Sequence, residues 1–185
     1  MDDRIDSIIR EWHERRPELD FSPLEVVARV IRASHLLQAR LDRIAEAYGL
    51  SHTGDLDVLT DLDRAGPPHQ RTPSELAETL LLTTGGMTVR LNRLQKAGLI
   101  ERLPNPRDGR GVLVRLTPIG KELAEDALVT LLDTQAASLG TLQPSEQIDL
   151  ANLLRTLLIA LGDTPAFRPA IAVQRGQNQR VETRA

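Results

Sequence analysis

Arg90, Arg93, Lys96, Arg102, Arg107, Arg110 and Arg115 crowd one stretch of the chain, from Thr84 to Arg115, where Glu101 and Asp108 are the only acids. That stretch carries +5 while the whole chain carries −3, so the remainder sums to −8 and the average conceals a local field. Cations at this density neutralise phosphates and release counterions, which gives affinity for a nucleic-acid backbone. Thr84, Gly85, Gly86 and Thr88 open the stretch with small or hydroxyl-bearing residues, the types that let a helix backbone approach base edges in a major groove. Asn92 is counted among the DNA-binding residues of the stretch. Arg110 stands between Gly109 and Gly111, where a guanidinium held on a narrow finger can enter a minor groove. Taken singly, each feature is matched by a plainer reading, a solvated helix face or a soluble loop tip. Their order and spacing together favour the first.

Other chemistry is sparse. The chain has no cysteine, so disulfides, thiolate nucleophiles and thiolate zinc sites are excluded. His13, His35, His52 and His69 lack the i, i+4 spacing of a helical metal site, and no metal or cofactor is expected. Gly85-Gly86 lacks the Lys-Ser or Lys-Thr pair of a phosphate-cradling loop, and Ser, His and Asp are too common to propose a triad, so an enzyme is not expected. The first ten residues mix acids and bases, unlike a signal peptide, and no apolar run approaches the roughly 18 residues of a membrane span. The expectation is a cytoplasmic protein with no membrane partner.

The elements that must position these side chains are mostly helices. With 185 residues, 2% aromatics and heavy use of Ala, Leu and Arg, one compact domain suits the chain better than an all-β sandwich. Ile5, Ile8, Ile9 and Trp12 make one apolar stripe on a leading helix over residues 4–16. Ser22-Pro23-Leu24-Glu25 reads as N-cap, first-turn proline and capping acid of a long helix over 22–48, stopped by Gly49. Gly54 to Ala65 gives a helix with Leu56, Leu59 and Leu62 inward, closed by Gly66-Pro67-Pro68 and a polar loop to Arg71. Thr72-Pro73-Ser74-Glu75 repeats the cap pattern over a short helix, and Thr83 or Thr84 caps the next, with Met87, Leu91 and Leu94 inward and Gly98 at its end.

Leu99 to Leu103 and Val112 to Leu116, joined by a turn-rich connector, read as a β-hairpin. Thr117-Pro118 opens a helix to about Gly140, and a last helix from Pro144 carries Ile148, Leu150, Leu153, Leu154, Leu157, Leu158 and Leu161. That is more apolar surface than one helix in a small domain needs, which points to a partner helix. Residues 163–185 lose periodicity and read as a mobile tail. The expected fold is mainly α with a small β-hairpin wing: a winged helix-turn-helix over 54–117, with a dimer formed by the helices of 22–48 and 118–162.

Thr72-Pro73-Ser74-Glu75-Leu76-Ala77, Thr84-Gly85-Gly86-Met87-Thr88, Leu94 to Arg102 and the wing segment Asp108 to Pro118 resemble the MarR-type winged-helix transcriptional regulators. The resemblance runs from about Ser22 to Gly162, with Asn105 a departure where many members carry an acid. It implies a homodimer whose first and last helices interlock and whose two recognition helices meet adjacent major grooves of an operator. The leading helix with its Trp is similar to a urate-responsive branch. That likeness implies a ligand site of Trp12, Asp57, Arg90 and Arg102 for a small organic anion, urate or a tricarboxylate. Against it stand Trp12 as a core anchor, Arg90 and Arg102 as phosphate contacts or partners of Glu101, and Asp57 as one of a solvated acidic run with Asp55, Asp61 and Asp63. The functional expectation is a ligand-responsive repressor binding a palindromic double-stranded DNA operator. The alternative is a dimeric helical protein-interaction module that retains the winged fold.

Overall fold

The computed structural model describes residues 2–106 and 108–164. Arg107, the side chain of Arg110 and all but the first two residues of the expected tail lie outside the described residues. Helix α1, Arg4–Arg15, begins with a capping box in which Asp3 and Asp6 satisfy each other's backbone N–H groups. It buries Ile5 and Ile9, and Arg29 of the next helix clamps it through Asp3 at 2.8 Å and Asp6 at 2.6 Å. The expected stripe does not continue to its fourth member. Trp12 is 46% exposed and stacks on Phe21, with ring centroids 6.0 Å apart.

Helix α2, Ser22–Ala47, starts one residue earlier than its cap pattern suggested. Phe21 occupies the N-cap, and Ser22 cannot serve there because Asp20 accepts both its N–H, at 2.9 Å, and its hydroxyl, at 3.0 Å. α2 buries only Ile44 and Ala45 and leaves Val26, Val27, Val30, Ile31, Leu36 and Leu37 exposed.

The core forms around α3, Thr53–Arg64, which buries Leu56, Val58, Leu59 and Leu62. Against it lie α4, Pro73–Thr79, opened by the expected Thr72/Glu75 capping box, and α5, Thr84–Lys96, opened by Thr83, whose hydroxyl accepts the Gly86 N–H at 3.0 Å. In the turn between them, Leu81 holds a left-handed φ of 52°. Residues Gln70–Arg71 form a short strand, β1, where a polar loop was expected. β2, Ile100–Asn105, and β3, Asp108–Leu116, are the wing hairpin, and the antiparallel sheet has the order β1-β3-β2. β1 is set by long-range pairing, Gln70 opposite Arg115 and Arg71 opposite Val114.

Helix α6, Pro118–Leu139, is capped by Thr117 and passes Leu99 so closely that a Cβ on Gly120 would sit 1.9 Å from the Leu99 carbonyl oxygen. Glycine is required there by space. α7, Pro144–Ala160, buries none of its residues among the described residues, and Ile148 and Leu153 are its most exposed apolar side chains. The architecture is that of a winged helix-turn-helix, mainly helical with a small sheet.

Candidate nucleic-acid interface

Helix α5 has two faces with different chemistry. Met87, Leu91 and Leu94, each 1% exposed, fix it to the core. Thr84, Gly85, Thr88, Asn92 and Lys96 face outward and are exposed. The Thr88 hydroxyl donates to the Thr84 carbonyl at 2.9 Å, so its oxygen lone pairs remain to accept. Of these, the sequence sets Thr84, Gly85 and Thr88 at base edges and Lys96, at the last turn, on a phosphate, with Asn92 among the DNA-binding residues.

The flank of α5 is tied to α3 by ionic contacts that the sequence did not reveal. Arg93 donates from Nε and Nη2 to the two carboxylate oxygens of Asp55, at 3.1 and 2.8 Å. Asp55 is 2% exposed, so this bidentate pair is buried on its acidic side. Arg93, expected on a phosphate, therefore holds the helix in place, and Asp55 keeps its guanidinium firmly charged. One turn earlier, the Arg90 guanidinium fills the space above Gly54, where any side chain would collide with it.

The residue before Gly54 joins this arrangement to α2. Asp42 accepts the Thr53 N–H at 3.2 Å and also its hydroxyl, and those two donors hold its carboxyl below the usual carboxylate range. Thr53, Gly54 and Asp55 thus meet, in order, α2, Arg90 and Arg93. The acidic run read as a solvated face divides accordingly. Asp55 and Asp61 are buried, Asp61 facing Arg71 at 2.8 Å and Arg64, while Asp57 lies on the open side. The signal for Asp55 was present: counting back by i−3 and i−4 from Val58 and Leu59 lands on it, so it shares the buried stripe.

The four residues of the proposed ligand site do not form one cluster around α5. Asp57 and Arg90 are neighbours: partial desolvation by the nearby protein pushes the Asp57 carboxyl above the usual range even though the residue is open to solvent, and the Arg90 charge opposes that push. Asp57 borders a groove of about 410 Å³ together with Thr60, Arg64, Thr79, Leu80 and Leu128. Arg102 instead bonds to Asn92 and Gln95, which lie roughly half a turn around α5 from Arg90. Trp12 stacks with Phe21 beyond α1. Glu101, considered as a partner for Arg90 or Arg102, pairs with Arg115 at 2.8 Å. Among the described residues, no three His, Asp or Glu converge as metal ligands and no helix is long and apolar enough to cross a membrane.

Comparison with known proteins agrees with this geometry. A sequence model of the MarR family matches residues 48–111, which run from the end of α2 into the wing. The chain is 31% identical over 150 residues to the HTH-type transcriptional regulator PecS of Dickeya dadantii, covering 81% of this chain and 90% of that relative. It is similar in fold to a MarR family transcriptional regulator of Streptomyces coelicolor solved in complex with DNA, with a TM-score of 0.70, 26% identity, and coverage of 80% of this chain and 91% of that one. A second regulator of the same family and organism gives a TM-score of 0.68 at 26% identity over 78% of this chain and 98% of that one.

Proposed function

Because the chain belongs to the MarR family of DNA-binding transcriptional regulators, we propose that it is a cytoplasmic repressor that binds a palindromic operator as a homodimer and is released by a small organic anion. The observation that carries the DNA-binding reading is the division of α5. Its apolar face and its two flanking arginines are engaged inward, while Thr84, Gly85, Thr88, Asn92 and Lys96 are left outward for a major groove. Arg107 and Arg110, read from the sequence as phosphate and minor-groove contacts, complete the proposed set of DNA-binding residues.

The dimer reading rests on α2 and α7, whose exposed valines, isoleucines and leucines form apolar faces with no cover among the described residues. A two-fold axis through them sets the two α5 helices about one DNA turn apart, on the order of 10 base pairs between half-site centres. For the effector, the neighbouring Arg90 and Asp57 supply the motive. An anion such as urate, or a tricarboxylate, that draws Arg90 away from Gly54 disturbs the seating of α5 and lowers operator affinity, typically 5- to roughly 150-fold for such couplings.

The test is footprinting on the upstream DNA of the gene itself, with and without urate and citrate, alongside light scattering. A two-fold footprint, a dimer at micromolar concentration and loss of protection with one anion are the expected results. A single short asymmetric site would refute the dimeric reader. Binding without sequence preference or salt dependence would leave the protein-interaction module as the better description. Calorimetry showing no uptake of either anion would remove the effector and leave the DNA reading intact.

A further inference from the structure

Arg102 stands on β2, paired across the hairpin with Val114, and reaches from the wing to the recognition helix. Its Nη1 donates to Oε1 of Gln95 at 2.9 Å and its Nη2 to Oδ1 of Asn92 at 2.8 Å. Asn92 and Gln95 are three residues apart and so share one face of α5, about one and two turns beyond Thr88. A guanidinium has donors and no acceptor, so the amide atoms that meet it must be the carbonyl oxygens. Turning either amide over would set N–H against N–H. The NH₂ groups are therefore the ends left to face away.

We propose that Arg102 is a positioning residue for base recognition: it turns the oxygens of Asn92 and Gln95 toward the wing, so that α5 offers the major groove two amide donors. This rests on the DNA-binding reading above and names the bases that reading would select. Guanine presents N7 and O6, both acceptors, to a donating amide, whereas adenine presents N7 beside an N6 amino group that also donates. The usual pairing of an asparagine or glutamine with adenine uses the amide oxygen and the NH₂ together, and Arg102 holds that oxygen. The positions under Asn92 and Gln95 are accordingly read as guanine in preference to adenine. Lysine is a poor replacement for Arg102, because its three N–H donors radiate from one nitrogen and lack the planar fork whose two separate nitrogens meet the two oxygens.

Selection from randomised duplexes by the intact homodimer, compared with N92A, Q95A, R102A and R102K, tests this. The wild type is expected to enrich guanine in the columns that N92A and Q95A relax, and R102A to cut guanine-over-adenine discrimination in those same columns by about five- to tenfold. R102K keeps the charge and is expected to relax the same columns, with an unchanged salt slope. If R102A weakened all sequences equally and lowered the salt slope by about one unit, Arg102 would be a phosphate contact and the proposal would fall. If it relaxed a column untouched by N92A and Q95A, Arg102 would be reading a base itself, and the positioning role would be overturned as well. A second readout needs no DNA: the side-chain amide resonances of Asn92 and Gln95 should both shift in R102K, and unmoved resonances would also refute the positioning role. A wild type that selects no sequence at all would instead refute the DNA-binding reading on which this depends.

Discussion

Replacing Arg93 with alanine should destabilise the fold while leaving the salt dependence of DNA binding unchanged. The Asp55 carboxylate is 2% exposed and accepts a hydrogen bond from this guanidinium on each of its oxygens, so the variant leaves a buried charge without its partner. Removing one member of a buried pair costs about 3–5 kcal/mol. Arg93 is itself 35% exposed, so solvent already screens part of the attraction, and roughly 2–3 kcal/mol is the appropriate expectation. For a chain of this size that corresponds to a fall in melting temperature of roughly 5–10 °C, measured by calorimetry at one fixed protomer concentration. The double variant Asp55→Leu with Arg93→Met removes both charges and should recover to within about 1 kcal/mol of the wild type. Binding of operator DNA across a salt series completes the test. An Arg93→Ala variant with wild-type stability and a salt slope reduced by about one unit would show that Arg93 serves a phosphate and that Asp55 is incidental.

Two further outcomes follow from the same geometry. Gly120→Ala puts a Cβ 1.9 Å from the Leu99 carbonyl oxygen, a backbone atom that cannot swing aside, so α6 must shift off the wing base; a loss of about 2–3 kcal/mol in urea unfolding is expected, and a neutral result would contradict the close approach. Asp57→Asn should raise stability at neutral pH. Since the folded chain raises the Asp57 carboxyl, its contribution is favourable below the unfolded value near 3.9 and is lost as pH climbs through the raised value. The gain in melting temperature from the amide should therefore grow between about pH 4 and pH 7, and a gain confined to the acid end would reverse the assignment.

Where the physics was local, the sequence was readable. Thr72 with Glu75, Thr83 with Gly86 and Thr117 with Gly120 each close a cap within four residues; Thr72 and Thr117 are the caps read from the sequence, and of Thr83 and Thr84 it is Thr83 that serves. Ser22 misled because a second local acceptor, Asp20, competes for the same donors, and no propensity rule ranks one against the other. β1 was invisible because two residues acquire strand geometry only by meeting Val114 and Arg115. The outward residues of α5 were legible from composition and helical period. The partners that hold Arg90, Arg93 and Arg102 were not, because Asp55 and Gly54 lie well before α5 in sequence and the guanidinium of Arg102 comes from a different element. The polar types were recognised correctly, but which cation faces solvent is decided by tertiary placement.

The two-sidedness of α5 bears on how such a chain can change its target over generations. Thr84, Gly85 and Thr88 are exposed, whereas Met87, Leu91 and Leu94 are buried in the core and Arg93 pairs with Asp55. Exchanges there fall in the near-neutral class of surface substitutions, within about 0.5 kcal/mol, so new sequence preferences can be sampled without risk of unfolding. Asn92 does not share that freedom. An exchange at Asn92 strands one arm of Arg102, and retargeting through this position requires both residues to change together. The reading face therefore holds independently mutable sites beside one linked set of three, and a library built to redirect the protein should vary Asn92, Gln95 and Arg102 as a single unit.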